Sequence, residues 1–249
     1  MGENKSPVSF PIKPPGPPKV WKIVEIVRKG DGKPMKFSIQ EIPEDMYEDA
    51  VEHMAKYFIA DEPLCMYMNG KNDPEYVEEF RVFWRKSLKH GLAVGAFVEN
   101  PDGGKPIIAG VNVLALSFKS EDHSSDHYKS EKVRSIITVL METSEEAKVY
   151  EKYGVDKYMT AFGLSVDPFY RGVALGGHLL SARENIGREY NIQVTATAFT
   201  SPISQKLAAR CGFETLIAKN YDEMLDEKGN QIFPGIQAKD VKIMAKRLY

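Results

Sequence analysis

The chain has 249 residues, of which 43% are hydrophobic and 27% charged, as in an ordinary globular protein. Its formal net charge of −2 does not provide the concentrated positive charge on which nucleic-acid binding depends. No apolar run is long enough for a membrane helix, and two cysteines, Cys65 and Cys211, are too few for a disulfide framework or a Cys-based zinc site. We therefore expect one core that acts on small molecules, without nucleic acid, a membrane or an evident protein partner.

Residues 1–19 are rich in proline and end with Pro14-Pro15-Gly16-Pro17-Pro18. Proline fixes φ and donates no backbone hydrogen bond, so this segment predicts a flexible, extended arm. A role of the arm in proline recognition stays open. The arm lacks the continuous apolar core of a secretory signal, which favours a cytoplasmic protein. Residues 20–249 are expected to form the folded domain.

Apolar periodicity divides the first half of this domain into strands and helices. The predicted elements are, in order, strands at 20–27 and 37–42, helices from 43 to about 61 and from 73 to 91, and strands at 92–98 and 107–118. Asp31-Gly32 is expected to turn the first strand back onto the second, because this pair favours tight turns. Asp73 followed by Pro74 is typical of an N-cap and a first helical residue.

The second half of the domain alternates strands with helices. The predicted elements are a helical segment at 133–150, either one kinked helix or two, then strand 157–166, turn 167–172, helix 173–190, strand 192–199, helix 202–211 and strands 213–218 and 238–247. This alternation indicates an α/β fold with a central mixed sheet flanked by helices.

A run of small residues lies between the strand at 157–166 and the helix that follows it. The sequence there is Val166-Asp167-Pro168-Phe169-Tyr170-Arg171-Gly172-Val173-Ala174-Leu175-Gly176-Gly177. Small residues let a ligand approach the backbone, and the first amides of a helix bind anions such as pyrophosphate. The run matches neither GxxxxGK[ST] nor GxGxxG. An ordinary glycine-containing loop remains an alternative.

The run from Leu164 to Gly176 resembles the acyl-CoA motif of the GNAT superfamily, [QR]xxGx[GA], with Arg171 and Gly176 at its ends. Ala174 replaces the motif's glycine, and its amide stays available if the residue keeps a helical φ. The resemblance implies a GNAT fold in which this strand separates from strand 192–199 to admit pantetheine. It also implies that acetyl-CoA is bound by Leu164, Ser165, Val166, Arg171, Gly172, Val173, Ala174, Leu175, Gly176 and Gly177.

Two further segments resemble the insect arylalkylamine N-acetyltransferases. Phe58-Ile59-Ala60-Asp61-Glu62-Pro63-Leu64 is similar to their DEPL segment, and 200–213 is similar to a downstream segment. The resemblance covers residues 20–249. It implies transfer of the acetyl group of acetyl-CoA to a small primary amine, such as dopamine, serotonin, tryptamine or histamine. Glu62 would be the general base, and Ser204 and Thr200 would be hydroxyls that handle acetyl-CoA or the amine.

The chemistry fits these residue types. An alkylamine with a pKa near 10.4 needs about 4.6 kcal/mol to free its lone pair at pH 7, and a placed carboxylate such as Glu62 can accept the proton. A backbone N–H of strand 157–166 can stabilise the charge that develops on the thioester oxygen. Ser204 can steady the departing thiolate or simply cap its helix. Cys211 has no visible histidine to activate it as an acetyl carrier.

Aromatic and histidine residues give weaker indications. Phe58 and Phe162 are candidates to line an amine pocket, although core packing also explains both. His123 and His127 have a spacing typical of metal ligands, but they lie in a polar loop without a clear third ligand, so no metal is expected. Two other functions stay open: acetylation of protein lysines or N-termini, and a non-enzymatic acyl-CoA-binding module.

Overall fold

The described strands form one mixed sheet of eight strands. The structure is a computed structural model that describes residues 10–27, 32, 34–120, 124–226 and 228–249. The strands are β1 (Val20–Val27), β2 (Pro34–Glu41), β3 (Val94–Val98), β4 (Ile107–Phe118), β5 (Lys157–Val166), β6 (Val194–Phe199), β7 (Glu214–Asn220) and β8 (Asp240–Arg247). Their order is β1-β2-β3-β4-β5-β6-β8-β7, and only β5 and β6 are parallel neighbours. The predicted mixed α/β fold is confirmed.

Helices cover both faces of this sheet. They are α1 (Tyr47–His53), α2 (Ile59–Asp61), α3 (Pro63–Tyr67), α4 (Pro74–Leu88), α5 (Glu131–Glu146), α6 (Val149–Tyr153), α7 (Leu175–Glu189) and α8 (Pro202–Arg210). Helices α1, α4 and α5 share a core cluster that contains Trp84, whereas α7 packs against the opposite face through Leu179. Among the helices described, none has both the length and the apolarity to cross a bilayer.

Several helix boundaries differ from those predicted by the apolar periodicity, and the causes are local. The first predicted helix is interrupted by a π-helical turn at Met54–Phe58. The segment predicted at 133–150 is two helices, because Lys148 adopts a left-handed conformation with φ +46°. The first of these begins at Glu131, since the Ser130 side chain caps it by accepting a hydrogen bond from Val133 N.

The described part of the proline-rich arm lies against the domain. Ile12 N donates to His90 O at 3.1 Å, and the rings of Phe10 and His90 are 4.2 Å apart. Lys19 N donates to the Glu41 carboxylate at 3.1 Å. These contacts fasten residues 10–19 near the start of the sheet. Residues 1–9 of the arm, Asp31 of the predicted turn and His123 lie outside the described residues.

A β-bulge interrupts the pairing of β4 with β5. The register passes from Asn112↔Leu164 to Leu114↔Ala161, so Phe162 and Gly163 together oppose one residue of β4. Side chains satisfy the carbonyl groups of the bulge. Trp84 Nε1 donates to Phe162 O at 2.8 Å, and Asn112 Nδ2 donates to Gly163 O at 2.9 Å.

The bulge requires glycine at position 163. Gly163 has a φ of +121°, which L residues rarely adopt. A Cβ atom there would lie 2.6 Å from Met54 Cε and 2.9 Å from the ring of Phe58. The π-helical turn therefore packs directly on the backbone of β5.

Arg183 of α7 connects the bulge to β6 from inside the core, with an exposure of only 1%. Its Nε donates to Asn112 Oδ1 at 3.1 Å, and its Nη1 donates to the hydroxyls of Thr195 and Thr197, both at 3.0 Å. These partners are uncharged, and burial lowers the pKa of Arg183 to about 9. Arg183 thus stays charged at neutral pH while it holds β4, β6 and α7 together.

We predict that Arg183→Ala lowers the free energy of unfolding by about 3–5 kcal/mol, because it leaves three buried oxygen acceptors without a donor and opens a cavity. Arg183→Met should lose less than Arg183→Ala, because it removes the same desolvated charge but keeps most of the side-chain volume. Urea unfolding of both variants measures the difference. Equal stability of Arg183→Ala and the wild type would contradict this role of the guanidinium.

Candidate active site

Strands β5 and β6 separate from each other along their length, and we call the gap between them the fork. Both lie wholly within the described residues, and they share one pair, Met159 with Thr195, near their amino ends. β5 stays paired with β4 up to Val166↔Gly110. The fork therefore opens toward the carboxyl ends of the two strands, where ligands bind in many open α/β sheets. This separation was expected from the resemblance and is confirmed.

Glu62 lies at the mouth of the fork. Its backbone is the N-cap of α3, and its Oε2 accepts a hydrogen bond from Cys65 N at 2.7 Å. Its Oε1 accepts a hydrogen bond from the Thr200 hydroxyl at 2.6 Å, directly after the end of β6. The half-buried carboxylate is thus held from two sides in one orientation. The structure brings together two of the predicted catalytic residues, Glu62 and Thr200.

Ser204 belongs to the N-terminus of α8. Ser204 N donates to Ser201 Oγ at 3.1 Å, and Ser201 N donates to Ser204 Oγ at 3.3 Å, which is a capping box. The Ser204 hydroxyl also donates to Ser201 O at 2.9 Å. Its contacts therefore orient α8 beside Thr200. A catalytic role for Ser204 stays a prediction.

The loop between β5 and α7 is tied to the segment that precedes Glu62. The Tyr57 hydroxyl donates to Asp167 Oδ2 at 2.7 Å, and Asp61 forms an ion pair with Arg171. Arg171 Nε also donates to Val166 O at 2.9 Å. Because Asp61 and Arg171 are both about half exposed, their ion pair contributes more to position than to stability.

The start of α7 departs from the sequence-based prediction. The helix predicted from 173 begins at Leu175, because Ala174 has a φ of +62° and Gly172 a φ of +80°. The condition of a helical φ at Ala174 is therefore not met. Two left-handed residues delay the helix until Leu175 and turn the backbone of the loop toward its N-terminus. In the described part of the chain, no side chain caps α7. The first amides of the helix are therefore available to an anion.

A cavity of ≈490 Å³ adjoins this N-terminus. Ala174 and Gly177 line it on the side of α7, and Lys22 and Arg210 supply positive charge from β1 and α8. His178 also lines the cavity, and its Nδ1 lies 3.4 Å from Lys22 Nζ. Two of the predicted acetyl-CoA residues, Ala174 and Gly177, thus adjoin a cavity that carries basic side chains.

His53 of α1 is buried behind the loop, with an exposure of 5%. Burial lowers its pKa to about 4, although a hydrogen bond to the Ser165 backbone and the charge of Asp167 act in the opposite direction. His53 lines a second cavity of ≈660 Å³ between α1 and the start of β4. Tyr57 and Asp167 line this larger cavity, whereas Glu62 is among the described lining residues of neither cavity.

The two predicted substrate aromatics lie in the core cluster beside the bulge. Phe58 packs edge-on against Trp84 with 5.8 Å between ring centroids, and Phe162 packs against Phe83 at 4.6 Å. Both side chains are partly buried. Their role toward a substrate stays a prediction.

A second group of rings adjoins α3, the helix that Glu62 caps, and was not predicted. Tyr67 of α3 packs edge-on against Phe233 at 5.7 Å, and Phe233 packs edge-on against Tyr221 at 5.7 Å. Phe233 and Tyr221 lie between β7 and β8 in a segment without apolar periodicity. Only the tertiary fold brings them to α3, so no local pattern could have found them.

Within the described ranges, no group of three or more His, Cys, Asp or Glu residues is arranged to hold a metal ion. His127 is exposed and stacks at 4.2 Å on the ring of Tyr128. Cys211 has Ser181 Oγ at 3.7 Å from its Sγ atom. The Ser181 hydroxyl is not a base that would activate the Cys211 thiol.

Comparison with solved structures identifies the family. The chain is similar to a protein assigned as arylalkylamine N-acetyltransferase 7 of the yellow fever mosquito, with 30% identity, a TM-score of 0.85 and coverage of 93% of this chain and 96% of that one. Arylalkylamine N-acetyltransferase 2 of Aedes aegypti shares 27% identity, with a TM-score of 0.75 and coverage of 86% and 99%. The polyamine N-acetyltransferase of Drosophila melanogaster, at 21% identity, a TM-score of 0.71 and coverage of 85% and 99%, shares the fold.

No protein-family model and no curated protein sequence matched the chain. The structural relatives nevertheless span almost its whole length. The chain belongs to the GNAT superfamily of N-acetyltransferases, within which it resembles the insect arylalkylamine N-acetyltransferases.

We predict that Ala174→Gly stabilises the protein by about 1 kcal/mol, because glycine relieves the left-handed strain at this position. The matched control is Ala209→Gly in α8, where the same change should be destabilising by about 0.5–1 kcal/mol because the residue is helical. Chemical denaturation of the two variants measures the sign of each change in the free energy of unfolding. A loss of stability in Ala174→Gly would be inconsistent with strain at this residue.

His53 should make stability depend on pH. Its folded pKa of about 4 lies below the unfolded value of 6.5, so the unfolded chain binds more protons as the pH falls through this range. The wild type should lose about 2 kcal/mol from this residue between pH 7.5 and pH 5. Urea unfolding at both pH values, compared with His53→Gln, isolates the contribution. Parallel pH profiles of the two proteins would refute it.

Proposed function

We propose that this protein transfers the acetyl group of acetyl-CoA to a small primary amine of the arylalkylamine type, by direct attack in a ternary complex. The observation that carries the proposal is the Glu62 carboxylate, which the Thr200 hydroxyl and the Cys65 amide hold at the mouth of the β5–β6 fork. The 30% identity to a mosquito protein assigned to this enzyme group supports the same reaction.

The residues around α7 fit the parts of acetyl-CoA. The uncapped N-terminus of α7 and the left-handed residues Gly172 and Ala174 offer backbone amides to a pyrophosphate. Lys22 and Arg210 add positive charge in the adjoining cavity. Leu164 and Val166 lie on β5 beyond its pairing with β6, so their backbone groups can bond to pantetheine. When bound, acetyl-CoA supplies the thioester carbonyl that the amine attacks.

Glu62 takes the role of proton acceptor for the amine. A primary amine is an ammonium ion at neutral pH, and it must lose a proton before nitrogen can attack a carbonyl carbon. The Thr200 and Cys65 donors fix the position of the carboxylate, so the carboxylate needs no reorganisation to receive that proton. Thr200 therefore acts in this proposal by positioning Glu62.

The thiolate that leaves requires a proton donor or a stabilising hydroxyl. Ser204 lies in the first turn of α8 beside Thr200, but its hydroxyl already donates to Ser201 O. Ser204 would have to exchange that bond for the thiolate during the reaction. The dipole of α8 favours negative charge at the N-terminus where Ser204 lies.

Aromatic rings support an arylalkylamine as the acceptor. Tyr67, Phe233 and Tyr221 form a continuous series of edge-on contacts that begins on α3, the helix that Glu62 caps. Aromatic rings recognise both an aryl group and a cation on its alkyl chain. The cytoplasmic location expected from the sequence belongs to the same proposal.

We predict that Glu62→Gln lowers kcat by about 10²–10⁴-fold, because the amide cannot accept the amine proton. The dissociation constant of acetyl-CoA should stay unchanged, because its proposed contacts lie on β5 and α7. Release of free CoA thiol with arylalkyl, imidazolyl and aliphatic amines measures turnover, and calorimetry measures acetyl-CoA binding.

The matched control is Glu52→Gln, which removes an exposed carboxylate that pairs with Arg81 at 2.8 Å. This variant should keep wild-type turnover. Acetyl-CoA binding without turnover of any amine by the wild type would contradict the small-amine activity and favour peptide acetylation or a binding module. Full activity of Glu62→Gln would remove Glu62 from the chemistry.

A further inference from the structure

Tyr221 is fully buried at the end of β7, where it begins the 3₁₀ turn Tyr221–Glu223. Its backbone N–H donates to Lys239 O at 3.1 Å, and its ring packs edge-on against Phe233. The Tyr221 hydroxyl, in contrast, is shut off from solvent and has no hydrogen-bond partner among the residues that the structure describes. A buried hydroxyl without a partner is rare and requires an explanation.

Other tyrosine hydroxyls of the chain do have partners. Tyr57 donates to Asp167 at 2.7 Å, and Tyr153 donates to Glu214 at 2.6 Å. The buried Tyr158 hydroxyl is hydrogen-bonded to Ser117 and Tyr150. The Tyr76 hydroxyl is also unpaired by geometry, but the Cys65 thiol lies beside it as a weak partner. Among the described residues, Tyr76 and Tyr221 are thus the two tyrosines with a buried, unpaired hydroxyl, and only Tyr76 has a thiol beside it.

A chain of contacts connects Tyr221 to Glu62. Glu62 accepts from Thr200, which follows Phe199, and the Gln205 amide donates both to Phe199 O at 3.1 Å and to Asp240 Oδ1 at 2.8 Å. Asp240 pairs with Asn220, the residue before Tyr221. These contacts connect the end of β7, where Tyr221 begins its turn, to the segment that holds Glu62.

The electrostatic environment of the Tyr221 hydroxyl is negative. Burial raises the pKa of Tyr221 above its ordinary value, and the charges of Glu62 and Asp240 raise it further. The side chain is a neutral phenol at any working pH, so it cannot serve as a base. A phenol oxygen has lone pairs that accept hydrogen bonds from an amine.

We propose that the Tyr221 hydroxyl binds the substrate amine, accepting one of its N–H groups while Glu62 accepts another. This inference rests on the proposed function and adds a residue that selects the substrate. A site that leaves a buried group unpaired discriminates strongly against ligands that lack the matching donor. The geometry therefore favours primary amines over their N-methyl derivatives, which have one N–H group fewer.

The test compares Tyr221→Phe with the matched control Tyr158→Phe. Tyr221→Phe should keep or raise the melting temperature, because it removes an unpaired hydroxyl. Its kcat/KM for a primary arylalkylamine should fall about 10–100-fold, and its preference for that amine over the N-methyl derivative should shrink. Tyr158→Phe should lower the melting temperature and leave both kinetic quantities unchanged.

Amine affinity gives a readout that does not depend on turnover. The dissociation constant of tryptamine, measured by calorimetry with CoA bound, should rise about 10-fold or more in Tyr221→Phe. A wild type that binds tryptamine without acetylating any amine contradicts the proposed function, while the affinity comparison still tests Tyr221. Tyr221→Phe that binds tryptamine as tightly as the wild type overturns the inference, as does a wild type that binds no amine.

Discussion

The bulge in β5 is the constraint from which the geometry of the site follows. Its two carbonyl groups would be unsatisfied inside the core if Trp84 and Asn112 did not donate to them. Asn112 is fixed in turn by Arg183, which also bonds to the threonine hydroxyls of β6. Side chains thus satisfy the two carbonyl groups of the bulge, and Arg183 joins β4 to β6 across the region where β5 and β6 separate.

The open fork gathers three segments that are far apart in sequence. Helix α3 supplies Glu62, the turn after β6 supplies Thr200, and the loop after β5 supplies the uncapped start of α7. Each segment reaches the mouth because a strand or helix ends there. The uncapped N-terminus of α7 favours negative charge, whereas the Glu62 carboxylate favours positive charge, so anionic and cationic groups are favoured at separate places in the fork.

Periodicity and end signals predicted the elements whose information is local. β4 and β5 have the predicted ends, and α4 begins after Asp73 as predicted but ends at Leu88 instead of 91. The resemblance predicted the fork. The conformation of Ala174 could not be predicted, because an alanine at φ +62° contradicts local preference and is imposed by the surrounding loop. Tyr221 was missed because its surroundings depend on tertiary contacts: its ring packs on Phe233, which packs on Tyr67 of α3. The contact of residues 10–19 with His90 likewise depends on tertiary packing.

The contacts of Tyr57 and Asp61 have a thermodynamic consequence. Both residues belong to the short segment that carries Glu62, and both hold the loop that begins α7. A displacement of that loop therefore moves the carboxylate as well, and a displacement of the carboxylate moves the loop. Free-energy coupling of this kind is reciprocal. If a ligand that orders the loop raises the affinity for a ligand at Glu62 by some factor, the second ligand raises the affinity for the first by the same factor.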